Sequence, residues 1–170
     1  TEFLLAGQPD RAHRLRGALE RTQHPFDFVL MDTPPNLGLL TINALVAAQE
    51  LLIPVQCQYL SMRGVRALLE TVWRVHEQFN ADLDLLGVLA TMYRDEVPHC
   101  QEVLAELQAV FAEDVFDVVI DDQPSVAEAP ILQQSILNYR PQSAVAQAYR
   151  LLAQYVIDKP PLKDDVMENR

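Results

Sequence analysis

Residues 28–45 read Phe-Val-Leu-Met-Asp-Thr-Pro-Pro-Asn-Leu-Gly-Leu-Leu-Thr-Ile-Asn-Ala-Leu, and this stretch decides the fold. An apolar segment ends at Asp32, a turn with two prolines follows, and a second apolar segment begins at Leu39. An apolar strand that ends in an aspartate places one negative charge at the carboxyl edge of a parallel sheet, where α/β proteins bind ligands. The stretch therefore predicts a strand, a proline turn and a helix, with Asp32 where the Mg²⁺ of a nucleotide would bind.

The segments next to this turn have the patterns of buried α/β elements. Residues 26–31 form an almost continuous apolar run, which is typical of a strand covered on both faces. Residues 39–48 have the pattern of a short apolar helix, and residues 51–55 have that of the next buried strand. A strand, a helix and a strand with short connections predict a right-handed crossover and a parallel pair of strands.

The same alternation continues along the chain. The spacing of apolar residues predicts helices over residues 9–22, 62–79, 98–111 and 143–157, and buried strands over residues 84–93 and 115–120. Residues 121–142 are predicted to be a loop. The predicted fold is α/β, a mainly parallel, doubly wound sheet flanked by helices, in one domain over residues 1–158. Residues 159–170 are predicted to be a charged C-terminal tail.

Length and composition limit the class of protein. With 170 residues and 49% apolar content, the chain can bury a sizeable core. Its apolar runs are far shorter than the ~20 residues that span a bilayer, and it does not begin with a basic and then apolar signal pattern. We therefore expect a soluble, cytoplasmic protein without a membrane partner. Cys57 and Cys100 lack the CxxC spacing of metal sites and are expected to be buried free thiols.

Charge is unevenly distributed along the chain. Thirteen basic and 24 acidic side chains give a net charge of −11, which is unusual for a protein that binds DNA without sequence preference. No Lys or Arg occurs from Asp95 to Tyr139. Basic residues gather instead in two groups, Arg11, Arg14, Arg16 and Arg21, then Arg63, Arg66 and Arg74. Two interpretations of these groups are open, solvated helix faces and a binding patch.

The residues alone also leave two interpretations of Asp32 open. Its carboxylate could hold Mg²⁺ through a water molecule, with the metal between the β- and γ-phosphates of a nucleotide. Alternatively, an aspartate at the end of a strand could cap the following turn or helix. A dinucleotide-binding oxidoreductase is set aside, because the chain has no GxGxxG turn.

Residues 28–45 resemble the second nucleotide motif of the ParA-type partition ATPases, in which an aspartate, a small residue and two prolines precede Leu-Gly-Leu. The resemblance runs in order over about residues 11–158. It continues through Asn43 to Ala48, Ile53 to Cys57, Tyr59, Leu60, Gly64, Gly87 to Leu89, Thr91 to Tyr93, Val115, Phe116, Glu128 to Pro130, Ala148 and Tyr149. It implies a P-loop NTPase-like fold of the deviant phosphate-loop type.

The resemblance also implies a function. The parent protein would bind ATP and Mg²⁺, form ATP-dependent homodimers, and partition DNA, such as a chromosome or plasmid, or position another cargo. A ParB-like partner would stimulate hydrolysis. Asp32 would hold the metal through water, and the residues that follow it would form a switch that senses the γ-phosphate. The nucleotide-binding residues that the resemblance implies are Thr33, Pro34, Pro35, Gly38, Thr91 and Met92.

One part of the family pattern has no counterpart in this sequence. The family begins with a strand and a glycine-rich phosphate loop that contains two lysines, followed by a catalytic aspartate. The five glycines here are scattered, and the lysines are Lys159 and Lys163. The chain resembles the C-terminal two-thirds of a ParA-type ATPase. Either the first strand and the phosphate loop have been removed, or a partner completes the sheet, and we expect the first. The chain alone, without a catalytic residue, is not expected to hydrolyse ATP.

A second departure concerns charge. Where the family commonly has Pro-Arg-Asn, this chain has Asp121, Asp122 and Gln123, and two carboxylates reverse the electrostatics of a DNA contact. Nonspecific DNA is therefore a doubtful partner. The alternative function is a degenerate, non-catalytic ParA-like interaction module. The lysine-free body and the acidic stretch favour this module, whereas the intact sequence from Asp32 to Gly38 argues against it, because a switch without a nucleotide has nothing to sense.

Overall fold

The computed structural model describes residues 5–22, 26–57 and 62–158, and within the third range it leaves out the side chains of residues 62–64 and 66. The predicted tail, residues 159–170, and the family match at Tyr59 and Leu60 lie outside the described residues.

The described residues form an alternating series of helices and strands. The helices are α1 (Arg14–Glu20), α2 (Leu39–Ala47), α3 (Met62–Gln78), α4 (Pro98–Phe111), α5 (Pro124–Ile131), α6 (Ile136–Tyr139) and α7 (Ala144–Asp158). The strands are β1 (Glu50–Gln56), β2 (Asp84–Tyr93) and β3 (Ile120–Asp121), and a 3₁₀ turn covers Ala112–Asp114. Among the described helices, none combines the length and the apolar character that crossing a membrane requires.

The described strands form one sheet in the order β1-β2-β3. β3 runs parallel to β2, with Thr91 opposite Ile120, and a parallel bridge joins Val88 to Val115. β2 is buried along its centre, from Gly87 to Ala90, as expected of a strand covered on both faces. A parallel sheet with helices in the intervening sequence confirms the predicted α/β fold.

The chain divides into two compact units, each with its own apolar core. The first unit comprises Thr1–Leu51 and Ser61–Leu85, and its core contains Leu45, Val46, Val75 and Leu83. The second unit comprises Leu52–Leu60 and Leu86–Arg170. Its core contains Leu89, Ile120, Ile136, Val145, Ala146 and Ala148. α1 and α2 belong to the first unit, whereas β3 and helices α4 to α7 belong to the second.

The prediction of a strand over residues 26–31 is wrong. These residues have no strand assignment, and Phe28, Val29 and Leu30 are 55%, 49% and 90% exposed. A strand is stabilised by backbone hydrogen bonds to a neighbouring strand. Among the described residues, the sheet consists of β1, β2 and β3, and none of these pairs with residues 26–31. The predicted parallel pair of residues 26–31 and 51–55 is therefore also wrong.

Three smaller predictions also need correction. The helix predicted over residues 9–22 is limited to α1, since Asp10 has a positive φ of 58° that a right-handed helix does not allow. The strand predicted over residues 115–120 is reduced to the bridge at Val115 and the short β3. The predicted loop over residues 121–142 contains α5, which begins with Pro124, and α6, which is capped by Ser135.

Candidate functional site

The turn between Asp32 and Gly38 lies in the first unit and is built by Asn36. The backbone N–H of Asn36 donates to the carbonyl oxygen of Pro34 at 2.8 Å. The Asn36 side-chain oxygen accepts from the N–H of Gly38 at 3.1 Å, and the Thr41 hydroxyl donates to the Asn36 carbonyl oxygen at 2.6 Å. An asparagine that bonds to the backbone two residues further on fixes a tight turn, so the entry to α2 is held in one geometry.

Asp32 itself takes no part in this turn. Its side chain is exposed, and no hydrogen bond or ion pair of its carboxylate occurs among the described residues. The residue that precedes α2 is Gly38, and the side chain that satisfies its N–H is that of Asn36. The capping interpretation of Asp32 therefore receives no support from the described contacts. Thr33, Pro34 and Pro35 are also exposed, and Gly38 is half-buried.

Helix α2 is fixed at its middle by a buried asparagine. Asn43 is 3% exposed, and its side-chain nitrogen donates to the carbonyl oxygens of Arg11 at 2.7 Å and Leu39 at 2.9 Å. Its side-chain oxygen accepts from the N–H of Leu15 at 3.1 Å. This N–H belongs to the first turn of α1, where backbone donors lack partners within the helix. Asn43 thus caps α1 and joins it to the helix that follows the turn.

A second buried asparagine fixes the C-terminal end of α2. Asn80 is 4% exposed, and its side-chain nitrogen donates to the carbonyl oxygens of Leu45 at 2.9 Å and Ala48 at 2.7 Å. Carbonyl groups in the last turn of a helix have no partner within the helix, so Asn80 satisfies two of them. The sequence analysis missed the roles of Asn36, Asn43 and Asn80. The one signal for Asn43 was a single amide within the apolar run of α2.

Thr91 and Met92 lie in the second unit, at the carboxyl end of β2. The register runs from Thr91 opposite Ile120 to Tyr93 opposite Asp121, so two steps along β2 face one step along β3. This irregularity places Met92 in a β-bulge, with a φ of +50° and 41% of its side chain exposed. Thr91 is held by its hydroxyl, which donates to the Val55 carbonyl oxygen at 3.2 Å.

Carboxylates cluster at the ends of β2 and β3. The N–H of Asp122 donates to the Tyr93 carbonyl oxygen at 2.9 Å, and the Tyr93 hydroxyl donates to Asp95 at 3.2 Å. Partial desolvation, followed by the bond to Asp95, raises the pKa of Tyr93. Arg94 pairs with Glu96 at 3.0 Å, and the backbone N–H of Glu96 together with Arg94 lowers the pKa of that carboxyl. This edge is therefore mainly anionic.

The cysteines are free and buried, as predicted. Burial, with a smaller effect of Cys100, raises the pKa of the Cys57 thiol to about 11, so Cys57 stays protonated near neutral pH. Within the described ranges, no group of three or more His, Cys, Asp or Glu side chains could hold a metal ion. A metal at Asp32 would therefore need further oxygen ligands, such as water and phosphate.

The predicted site residues fall into two groups. Asp32, Thr33, Pro34, Pro35 and Gly38 lie on one continuous turn of the first unit, whereas Thr91 and Met92 are neighbours in the second unit. The positions of the residues in each group are described within that group's own unit. The first group offers a free-standing carboxylate in front of a rigid turn, and the second offers an exposed bulge at the end of a parallel strand.

The sequence and the fold have clear relatives. A family model described as AAA domain matches residues 1–85. The chromosome-partitioning ATPase Soj of Treponema pallidum is 37% identical over 153 residues, which are 90% of this chain and 60% of Soj. The chromosome partitioning protein ParA of Caulobacter vibrioides is 38% identical over 160 residues, 93% of this chain and 60% of ParA. This chain thus spans about 60% of the length of these curated relatives.

A solved structure shows that the fold is similar as well. Cobyrinic acid a,c-diamide synthase from Mycobacterium smegmatis, with a bound ATP analog and magnesium, is 31% identical to this chain. The two superpose with a TM-score of 0.74 over 95% of this chain and 60% of the synthase chain. The likeness therefore covers both units of the present structure.

Proposed function

This chain belongs to the ParA-type partition ATPases of the AAA domain family, and we propose that it carries the second switch of such an ATPase. The parent protein binds ATP and Mg²⁺, forms ATP-dependent dimers, and partitions DNA or positions another cargo in the cytoplasm. A ParB-like protein stimulates its hydrolysis. The proposed ATPase part covers residues 1–158, and residues 159–170 form a charged tail.

The observation that carries this proposal is the position of Asp32. Its carboxylate is exposed, has no bond among the described residues, and directly precedes a turn that Asn36 makes rigid. Mg²⁺ prefers oxygen ligands and keeps several of its waters, so a single carboxylate that bonds to a metal-bound water is sufficient on the protein side. Asp32 fits this role better than that of a cap, since Asn36 already bonds to the N–H of Gly38.

The turn connects the proposed switch to helix α2. Gly38 begins α2, and α2 is tied to α1 by Asn43 and to the segment after α3 by Asn80. A displacement of residues 33–38 on loss of the γ-phosphate would therefore act on a helix that is anchored at its middle by Asn43 and at its C-terminal end by Asn80. When bound, the nucleotide and its metal supply the phosphoryl chemistry. Asp32 would hold a water of the bound metal, and residues 33–38 would report on the γ-phosphate.

Thr91 and Met92 are proposed to contact the nucleotide from the base side. Ligands of α/β proteins bind at the carboxyl ends of parallel strands, which is where both residues lie. A bulge re-aims the side chains at the end of a strand, and the exposed Met92 side chain offers an apolar surface for a base.

A second candidate function is a ParA-like interaction module that has lost nucleotide and DNA binding. One specific feature favours this module: no Lys or Arg occurs from Asp95 to Tyr139. This stretch includes the exposed outer face of α4 and the end of β3, so these surfaces present no Lys or Arg to a phosphate group. Nucleotide binding by the full-length protein separates the two functions.

The 170-residue chain is expected to bind Mg·ATP weakly or not at all, whereas the full-length protein that contains it should bind with micromolar or tighter affinity. Backbone N–H groups of a glycine-rich loop, together with a lysine, hold phosphates, and this sequence has no grouped glycines. Isothermal titration calorimetry of both proteins with Mg·ATP is the measurement. Failure of the full-length protein to bind would favour the interaction module, and micromolar binding by the chain alone would require a phosphate site of another kind.

Reversing two charges at the end of β3 should tighten nonspecific DNA binding. In the full-length protein, Asp121→Arg together with Asp122→Arg is expected to raise affinity for a duplex about tenfold at low salt, because added cations release counterions from the phosphates. In the wild type, contacts would come from residues such as Arg63 and Arg66, whose roles are predictions from sequence alone.

A control variant keeps the same change of net charge. Glu70→Arg with Glu77→Arg alters two exposed residues on α3. If Glu70→Arg with Glu77→Arg tightens DNA binding as much as Asp121→Arg with Asp122→Arg, the effect comes from net charge alone. The end of β3 then does not face DNA. The affinities are measured by fluorescence anisotropy at two salt concentrations.

A further inference from the structure

An open groove lies between α1 and α2 in the first unit. Its volume is about 280 Å³, and its lining residues are Leu5, Arg14, Leu15, Ala18, Leu40 and Asn43. Leu5, Leu15 and Leu40 are half-buried, so the wall of the groove is apolar but still reached by solvent. This volume lies just below that of pockets that enclose a whole small ligand, so the groove offers an apolar surface for individual side chains.

Two arginines carry positive charge at the groove: Arg14 lines it, and the Arg11 carbonyl oxygen accepts from the side chain of the lining residue Asn43. Arg14 donates to the neutral side chain of Gln8 at 3.0 Å, and Arg11 donates to the Ala6 carbonyl oxygen at 3.3 Å. Neither guanidinium has an ion pair with a carboxylate in residues 5–22, 26–57 or 62–158. Arg16 differs, since it pairs with Glu20 at 3.5 Å.

We propose that this groove is a docking site for an acidic, leucine-containing peptide segment of a partner protein. The apolar wall accepts aliphatic side chains, and the two arginines pair with carboxylates, which a planar guanidinium binds through two parallel hydrogen bonds. Charge complementarity selects this occupant, because Arg11 and Arg14 keep an unbalanced positive charge in a chain with a net charge of −11. The binding mode is that of an amphipathic segment in a groove.

Docking in this groove would act on the proposed switch through Asn43. This residue lines the groove and also bonds to Arg11 and Leu15 on one side and to Leu39 on the other. Leu39 follows Gly38, the last residue of the turn. A peptide that shifts α1 relative to α2 therefore strains bonds that hold the turn. This coupling rests on the proposed function, whereas the docking itself does not.

The docking is tested by fluorescence anisotropy with the 170-residue chain. The probe is a labelled peptide of glutamates with leucines at positions i and i+4, and its partner has lysine in place of every glutamate. Arg14→Glu reverses the charge of the rim, and Ala18→Phe fills the groove without changing charge. Arg21→Glu is the matched control, since Arg21 is exposed at the end of α1 and does not line the groove.

We expect the acidic peptide to bind, the lysine peptide not to bind, and both groove variants to weaken binding at least tenfold, with Arg21→Glu close to the wild type. Circular dichroism establishes that the variants fold. Absence of binding overturns the proposal, as does equal binding by Ala18→Phe, which would mean a purely electrostatic contact. Tighter binding of a DNA duplex that displaces the peptide would assign the arginines to nucleic acid instead.

The coupling is tested separately in the full-length protein. A bound peptide that leaves ATP turnover unchanged overturns the coupling but not the docking. The ATP turnover measured without the peptide tests the proposed function.

Discussion

Gly87→Ala is expected to lower the free energy of unfolding by about 3 kcal/mol. Gly87 is buried in β2 with a φ of +158°, a conformation that residues with a side chain rarely adopt. An added Cβ would lie 2.7 Å from a carbon of the Phe116 ring and 3.0 Å from the Asp114 carbonyl oxygen. The Phe116 ring has little room to withdraw, because it packs against the core of the second unit and meets the Tyr155 ring at 5.6 Å between centroids. Backbone strain and steric overlap therefore act together.

The same substitution at another glycine should have the opposite sign. Gly17 lies inside α1, and an added Cβ would meet only the flexible end of Arg21 at 3.5 Å. Gly17→Ala is thus expected to stabilise the chain by about 0.5–1 kcal/mol, since alanine favours a helix over glycine by this amount. Urea denaturation followed by circular dichroism measures both variants. A Gly87→Ala protein as stable as the wild type would mean that β2 and the segment at Phe116 are not packed as described.

The fold class could be predicted from sequence because buried strands and amphipathic helices have different apolar patterns. The pattern located β2 at residues 84–93 and α4 at residues 98–111, with the bounds that the structure has. α4 and the part of β2 from Leu86 onward lie in the second unit, so local pattern and tertiary contacts agree.

The strand predicted over residues 26–31 failed for a physical reason. An apolar run reports that a segment can be buried, but a strand also needs a neighbour for its backbone hydrogen bonds. The described residues supply none beside Phe28 to Leu30, and Leu30 is 90% exposed. The apolar pattern of a segment does not show which strand supplies those hydrogen bonds.

The candidate site was only partly visible in the sequence. Asp32 and the two prolines stand out because a carboxylate and a rigid turn follow an apolar run. Asn36, Asn43 and Asn80 do not stand out, because their roles depend on backbone groups up to 35 residues away. An isolated asparagine has no periodicity, so only the folded chain reveals that Asn43 bonds to Arg11 and Leu15.

Asp32→Ala is expected to lower ATP turnover by the full-length protein about 10- to 100-fold, the usual effect of removing a group that orients a metal-bound water. Folding should remain intact, since the Asp32 side chain is exposed and has no bond within the described residues. Asp27→Ala is the matched control, because Asp27 is an exposed aspartate of the same segment. It lies before the apolar run and has no proposed role, so its loss should leave turnover unchanged.

The steady-state rate of phosphate release from Mg·ATP by the full-length protein, its Asp32→Ala variant and its Asp27→Ala variant tests the central claim most directly. We predict that the wild type and Asp27→Ala hydrolyse ATP at similar rates and that Asp32→Ala is slower by at least tenfold, with unchanged circular dichroism. Equal rates for the wild type and a folded Asp32→Ala variant would contradict the claim that this carboxylate holds the metal of a nucleotide switch.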